Sequence, residues 1–241
     1  MKIFFIPKQL LQLILAVLVS VLVLGVVLLF LQQEHQILRI EPTVATPIYC
    51  GNTEDAKVAL AINVDWGEDV LPGMLETLKN QHVQATFFIT GRFAEKFPDI
   101  VAQIVADGHE IGNHGYAHPH PDQLSVAQNK ADIQKAEQLL EPIIGTKPIL
   151  YAPPYGECGE TCLTAAEQCG YTTILWTADT IDWEQPAPSH DVLVERVTGD
   201  KLKKGAILLM HPKQHTANAL ADIIETIRQK NYSCVKVSDV L

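Results

Sequence analysis

The polarity of the chain changes character near residue 32. From Leu10 to Leu31 the residues are almost all apolar, broken only by Gln12, Ser20 and Gly25. As a helix this run measures roughly 33 Å, enough to cross a hydrocarbon core of about 30 Å, so it reads as a transmembrane span. Residues 32–57 are polar, carry Pro42 and Pro47 and show no periodicity, which predicts a tether. From Val58 to Leu241 short, fully apolar runs alternate with amphipathic ones. VALAINV (58–64), ATFFIT (85–90), HEIGN (109–113), PILYA (148–152), YTTILWT (171–177), AILLM (206–210) and SCVKV (233–237) read as strands. Between them residues 70–80, 99–107, 125–140, 161–169, 192–198 and 217–230 read as helices. Apolar strands alternating with helices mean a parallel sheet covered by helices, and about seven such units suit an α/β fold closed as a (β/α) barrel better than an open sheet.

Lys2 and Lys8 precede the apolar run, while Gln32, Gln33 and Glu34 follow it. The positive-inside rule then keeps residues 1–9 in the cytoplasm and exports the rest, giving a single-pass protein of the cell membrane with an extracytoplasmic domain. A cleaved signal peptide is the rival. The run is longer than a usual signal core, however, and no small-x-small site follows it at once. The formal net charge of −10 argues against a nucleic-acid partner, which needs a basic footprint. The five cysteines include no C-x-x-C pair; outside a membrane they could bridge, in a pairing that sequence does not specify.

Against this frame the stretch Glu110–Pro121, EIGNHGYAHPHP, stands out. His114 and His118 are four apart in a loop carrying Gly115 and Pro119, a spacing that can close two imidazoles on one divalent metal. With nine histidines in 241 residues such a pair alone is usually incidental. Its company raises its weight, because working residues of a (β/α) barrel lie at the C-terminal ends of strands. The expected strand ends deliver Asn63, Asp65, Trp66 and Glu68; then His114 and His118; then Tyr155 and Glu157; then Asp179, Asp182 and Trp183; and finally His211. Singly, an Asp after a strand is more often a helix cap than a catalyst.

In this order the set resembles the polysaccharide deacetylases, the NodB-homology or family 4 carbohydrate esterases, and the resemblance covers Val58–Leu241. It implies a distorted (β/α) barrel, a divalent metal such as zinc, and removal of acetyl groups from chitin-like polymers, peptidoglycan or xylan. Asn63-Val64-Asp65-Trp66-Gly67 matches the family motif T-F-D-D-G, so Asp65 takes the general-base position. Trp66 stands where the family has a metal-ligating Asp. His114 and His118 match the other two ligands. Ala152-Pro153-Pro154-Tyr155-Gly156 matches R-P-P-Y-G, which gives Tyr155 the oxyanion-holding backbone N–H and leaves Ala152 in place of the arginine that steadies the base. Asp182 and Trp183 match the motif that tunes the acid and lines the acetyl pocket. Leu209-Met210-His211 ends in the general acid.

The expectation is a membrane-anchored, metal-dependent hydrolase acting on an acetylated amino-sugar polymer of the cell wall. The rival is a carbohydrate-binding relative that has lost hydrolysis, because two imidazoles without an anionic partner make a poor zinc site. Three repairs would rescue a site: Asp65 moving onto the metal, Glu68 or Glu157 reaching it, or Trp66 filling the gap and stacking on a sugar ring.

Overall fold

The computed structural model describes residues 7–37 and 46–241. The outer part of the expected cytoplasmic end, residues 1–6, and the middle of the expected tether, residues 38–45, lie outside the described residues. Helix α1 (Lys8–Ile37) forms a compact unit of its own, and its segment Lys8–Phe30 is long and apolar enough to cross a membrane.

The second unit is built on a curled parallel sheet. Its strands are β1 (Lys57–Val64), β2 (Thr86–Ile89), β3 (Glu110–Asn113), β4 (Leu150–Tyr151), β5 (Thr172–Thr173), β6 (Ala178–Asp179), β7 (Ile207–Met210) and β8 (Ser233–Val235). They run in the order β5-β4-β3-β2-β1-β7-β6, with β8 on the lower part of the β1 edge that β2 occupies higher up. Every pairing is parallel. This is the expected barrel, left open as a half-barrel with its seam between β5 and β6.

Period-2 alternation sorts the side chains into two layers. From β1, Val58, Leu60, Ile62 and Val64 face outward into the main core beneath the helices, together with Leu208 and Met210 of β7. Ala59 and Ala61 face inward, against Phe88, Leu150, Ala152, Ile174 and Ile207. The inward row of β1 therefore continues through Asn63 to Asp65, and that of β7 runs Ile207, Leu209, His211. The helices α2 (Leu71–Asn80), α3 (Gly91–Lys96), α4 (Pro98–Ala106), α5 (Val126–Ile144), α6 (Glu160–Gln168), α7 (His190–Thr198) and α8 (Gln214–Gln229) complete the domain. Helix α5 starts on a capping box between Ser125 and Gln128 and stops at Gly145, whose φ of 83° suits a residue without Cβ.

Three local expectations change. The run YTTILWT is not one strand: residues 172–173 pair with β4, residues 178–179 pair with β7, and the chain between them crosses the seam. The tether ends earlier than residue 57. Ile48 bridges Ile174 and Cys50 bridges Ala206, so the polypeptide before β1 pairs with both sides of the seam. The short helix α3 was not expected. Thr90 caps it, its Oγ1 accepting from the Phe93 N–H at 3.3 Å. All five cysteines, which are described, carry free thiols.

Candidate active site

The inward rows deliver their last residues to one cleft of about 360 Å³ at the C-terminal ends of the strands. Asn63, Asp65, Trp66, His114, His118, Tyr155, Trp183 and His211 all line it, with Trp176, Asp179 and Leu209. The volume lies in the range of small-molecule pockets, about 300–1,000 Å³. The strand-end residues named from sequence are thus brought together, except that Asp182 sits behind His211 and neither Glu68 nor Glu157 lines the cleft.

On the β7 side the site is tightly bonded. Asp182 is fully buried; its Oδ1 accepts from His211 Nδ1–H at 2.7 Å, and its Oδ2 accepts from the His211 backbone N–H and the Thr216 hydroxyl, both at 2.7 Å. Burial pushes this carboxyl up, but the His211 and Thr216 interactions outweigh it and hold the group below its ordinary range. A carboxylate can only accept, so the bond fixes the proton on Nδ1 and turns Nε2 of His211 away from Asp182.

On the β1–β3 side the donors are disposed differently. His114 is buried, and its Nδ1–H donates to the Ala152 carbonyl at 2.6 Å, which leaves Nε2 as its free lone pair. Ala152 lacks the family's guanidinium, yet its backbone orients a histidine. The rings of His114 and His118 meet edge to face at 5.0 Å. Burial, with mutual repulsion, lowers the His114 pKa to about 3, and burial lowers that of His118, so both imidazoles are neutral near pH 7. Neutral imidazole is the metal-binding form.

Asp65 is held by partners that sequence did not reveal. Its Oδ1 accepts from the Thr90 hydroxyl at 2.9 Å and from Arg92 Nε at 2.6 Å, while Oδ2 pairs with Arg92 Nη2. Burial raises the carboxyl, and the Arg92 and Thr90 bonds more than reverse that. A guanidinium therefore reaches Asp65 from the first turn of α3, although position 152 carries none. Its one sequence trace is an arginine just past the end of β2, the strand beside β1.

Trp66 occupies the rim. Its ring stacks on His211 at 6.0 Å, and Lys213 Nζ lies 4.0 Å from its centroid. Gly67, at φ 98°, makes this possible: a Cβ there would sit 2.6 Å from Pro212, so only glycine lets the β1 loop approach the β7 loop this closely. Tyr155 takes a positive φ of 59° and is braced by His118 at 4.6 Å and by His120, stacked at 4.0 Å.

These residues do not make a three-ligand metal centre. Among the described residues no group of three or more His, Cys, Asp or Glu side chains is disposed to hold an ion. The carboxylates that could repair the site are held elsewhere: both Asp65 oxygens are engaged, Glu157 binds His120 Nδ1 at 2.8 Å, and Glu68 faces Lys96 at 4.0 Å. Catalytic zinc normally keeps three protein ligands and one open position. Two imidazoles beside a tryptophan fall short of that.

A family model described as polysaccharide deacetylase matches residues 51–174. An "uncharacterized protein" of Bacillus subtilis (strain 168) is 40% identical over 195 residues, covering 81% of this chain and 60% of that protein. A peptidoglycan-N-acetylglucosamine deacetylase of Bacillus cereus is 35% identical over 181 residues, covering 72% of this chain and 65% of the relative. The chain spans less than two thirds of the length of these two relatives. Among solved structures, a CE4 family pseudoenzyme from Bacillus anthracis matches with a TM-score of 0.77 at 37% identity, over 81% of this chain and 68% of that one. A mutant of that pseudoenzyme is described as having restored enzymatic activity.

Proposed function

The chain belongs to the polysaccharide deacetylase family, and on that footing we propose that its cleft binds an N-acetylated cell-wall glycan of the peptidoglycan or chitin-like kind, with hydrolysis held low by Trp66. Deacetylases of this family are in general metal-dependent. The observation that carries the reading is the contrast inside the cleft: the Asp182–His211 pair is fully formed, while the third donor beside His114 and His118 is an indole. In this reading Trp183, Trp66 and the backbone of Tyr155 contact the sugar and its acetyl group. Asp65 is positioned to accept a proton and His211 Nε2 to deliver one to the departing nitrogen. Helix α1 serves as a single-pass anchor that holds the domain on the outer face of the membrane, within reach of the wall.

A second reading, slow deacetylation, is favoured by the same Asp182–His211 pair, which a purely binding protein does not need. The two separate in one experiment on the full chain in detergent, using chitotetraose as ligand. Binding is followed by titration calorimetry, and acetate release with and without a chelator. Chitotetraose binding with no chelator-sensitive acetate supports the binding reading. Chelator-sensitive release contradicts it and establishes the deacetylase. Absence of binding overturns both.

A further inference from the structure

At the floor of the cleft lies a polar side chain that neither the Asp182–His211 pair nor the two histidines use. Asn63, where the family motif has Thr, is only 5% exposed and lines the cleft. The two ends of its amide are in different situations. Oδ1 is closed off and has no hydrogen-bond partner. Its surroundings in the sheet are apolar: Ala59 and Ala61 precede it on the inward row of β1, and Phe88 is its register partner on β2. The nitrogen, Nδ2, which can only donate, is the end left open to the cleft. The carboxylate two residues further along this row is already taken, because Thr90 and Arg92 hold both oxygens of Asp65. A stranded buried oxygen costs free energy that an apolar side chain of the same volume avoids. What asparagine adds here over leucine is therefore one usable group, a donor facing the cleft.

A donor needs an acceptor, and depth decides which one. Trp183 and Tyr155 are about half exposed at the rim, where a sugar ring can lie against them, whereas the floor admits a substituent projecting from the ring. On an N-acetylated glycan the acetamido group is the longest such substituent, and its carbonyl oxygen is an acceptor. Position in the sheet agrees. Ile62 of β1 pairs with Met210 of β7, so Asn63 and His211, the next residue of each, stand side by side with backbones about 4.8 Å apart. The oxygen and the nitrogen of an acetamide are bonded to one carbon, so two side chains arriving from adjacent strands can hold both. We propose that Asn63 is an acyl-binding residue: its Nδ2–H donates to the carbonyl oxygen of the acetamido group and seats the linkage nitrogen beside His211. This rests on the reading of the cleft as a glycan site and deepens it by assigning the side chain that grips the acyl oxygen.

The test compares two tetrasaccharides by calorimetry on the full chain in detergent: chitotetraose, and its N-thioacetyl counterpart, in which sulfur, a weak acceptor, replaces each carbonyl oxygen. Wild type is expected to bind chitotetraose about tenfold more tightly. Asn63→Leu, close in volume, removes the donor. It should weaken chitotetraose binding about tenfold while leaving the affinity for the thioacetyl ligand and the thermal midpoint unchanged. Should Asn63→Leu not fold, Asn63→Ala is read by the same two affinities. An asparagine that merely shapes the floor would shift both ligands alike, which overturns the inference. Infrared spectra of chitotetraose carrying ¹³C at the acetyl carbonyls give a second readout: the bound carbonyl stretch should lie at higher frequency in the variant than in wild type, and an unmoved band overturns the inference. Equal wild-type affinity for the two ligands also overturns it while leaving the glycan reading standing, and this arm needs no variant to fold. Binding of neither ligand removes the glycan reading and the inference together.

Discussion

The two walls of the cleft differ in how completely their chemistry is assembled. On the β7 wall, Asp182 is fully buried and accepts three hydrogen bonds, two of them from His211. On the β1–β3 wall, two neutral imidazoles stand beside an indole, and the nearest carboxylate is locked to Arg92 and Thr90. The Asp182–His211 pair is thus fully bonded, whereas the histidine pair opposite has no third His, Cys, Asp or Glu disposed beside it among the described residues. The β7 pair is bound into the fold through Thr216 at the start of α8, whereas Trp66 sits on the rim, partly exposed, between His211 and Lys213.

The comparison is broken hardest at Asp182. Asp182→Ala strands the His211 and Thr216 donors in a buried place, and we expect a loss of about 3–5 kcal/mol in urea unfolding. A loss below about 1 kcal/mol would show that the β7 wall is not the rigid half. On the other wall Trp66→Asp adds the missing anionic donor, and zinc affinity by competition titration should rise by at least about 10- to 100-fold. An unchanged affinity would show that His114 and His118 are limited by something other than the absent ligand.

Arg92→Ala is a smaller perturbation, because the guanidinium is about half exposed. Removing it should cost about 1 kcal/mol at pH 7. The folded carboxyl of Asp65 lies below its ordinary value of 3.8, so the pair stabilises the protein above that pH. The gap between wild type and variant should therefore persist from neutral pH down to about 4 and close as the pH falls through the folded pKa. A gap that widens in acid would contradict the ion pair. Least of all, His120→Ala removes the stack on Tyr155 and should cost about 0.5–1 kcal/mol, read from the thermal midpoint.

Much of this was legible in the chain. Period-2 rows such as Ala59-Ala61-Asn63-Asp65 and Ile207-Leu209-His211 project their final polar residue over the barrel mouth, so strand ends pointed to the cleft. What escaped was set by tertiary closure. YTTILWT reads as one apolar strand, yet only Thr172 and Thr173 pair within it, with β4, and β6 starts just past its end at Ala178 on the other side of the seam. The tether likewise looked unstructured, since single bridges at Ile48 and Cys50 leave no periodicity. Arg92 was invisible for a related reason: the family motif puts its arginine after β4, whereas here the guanidinium arrives from α3, across the β1–β2 pair.

The central claim is that only the metal wall is missing from an otherwise complete site. It is tested most directly by acetate release from chitotetraose by full-length Trp66→Asp loaded with zinc, beside wild type under the same conditions. The account predicts chelator-sensitive acetate from the variant and none from wild type. A variant that binds zinc and chitotetraose yet releases no acetate would contradict it, because the proton-handling wall would then be incomplete as well.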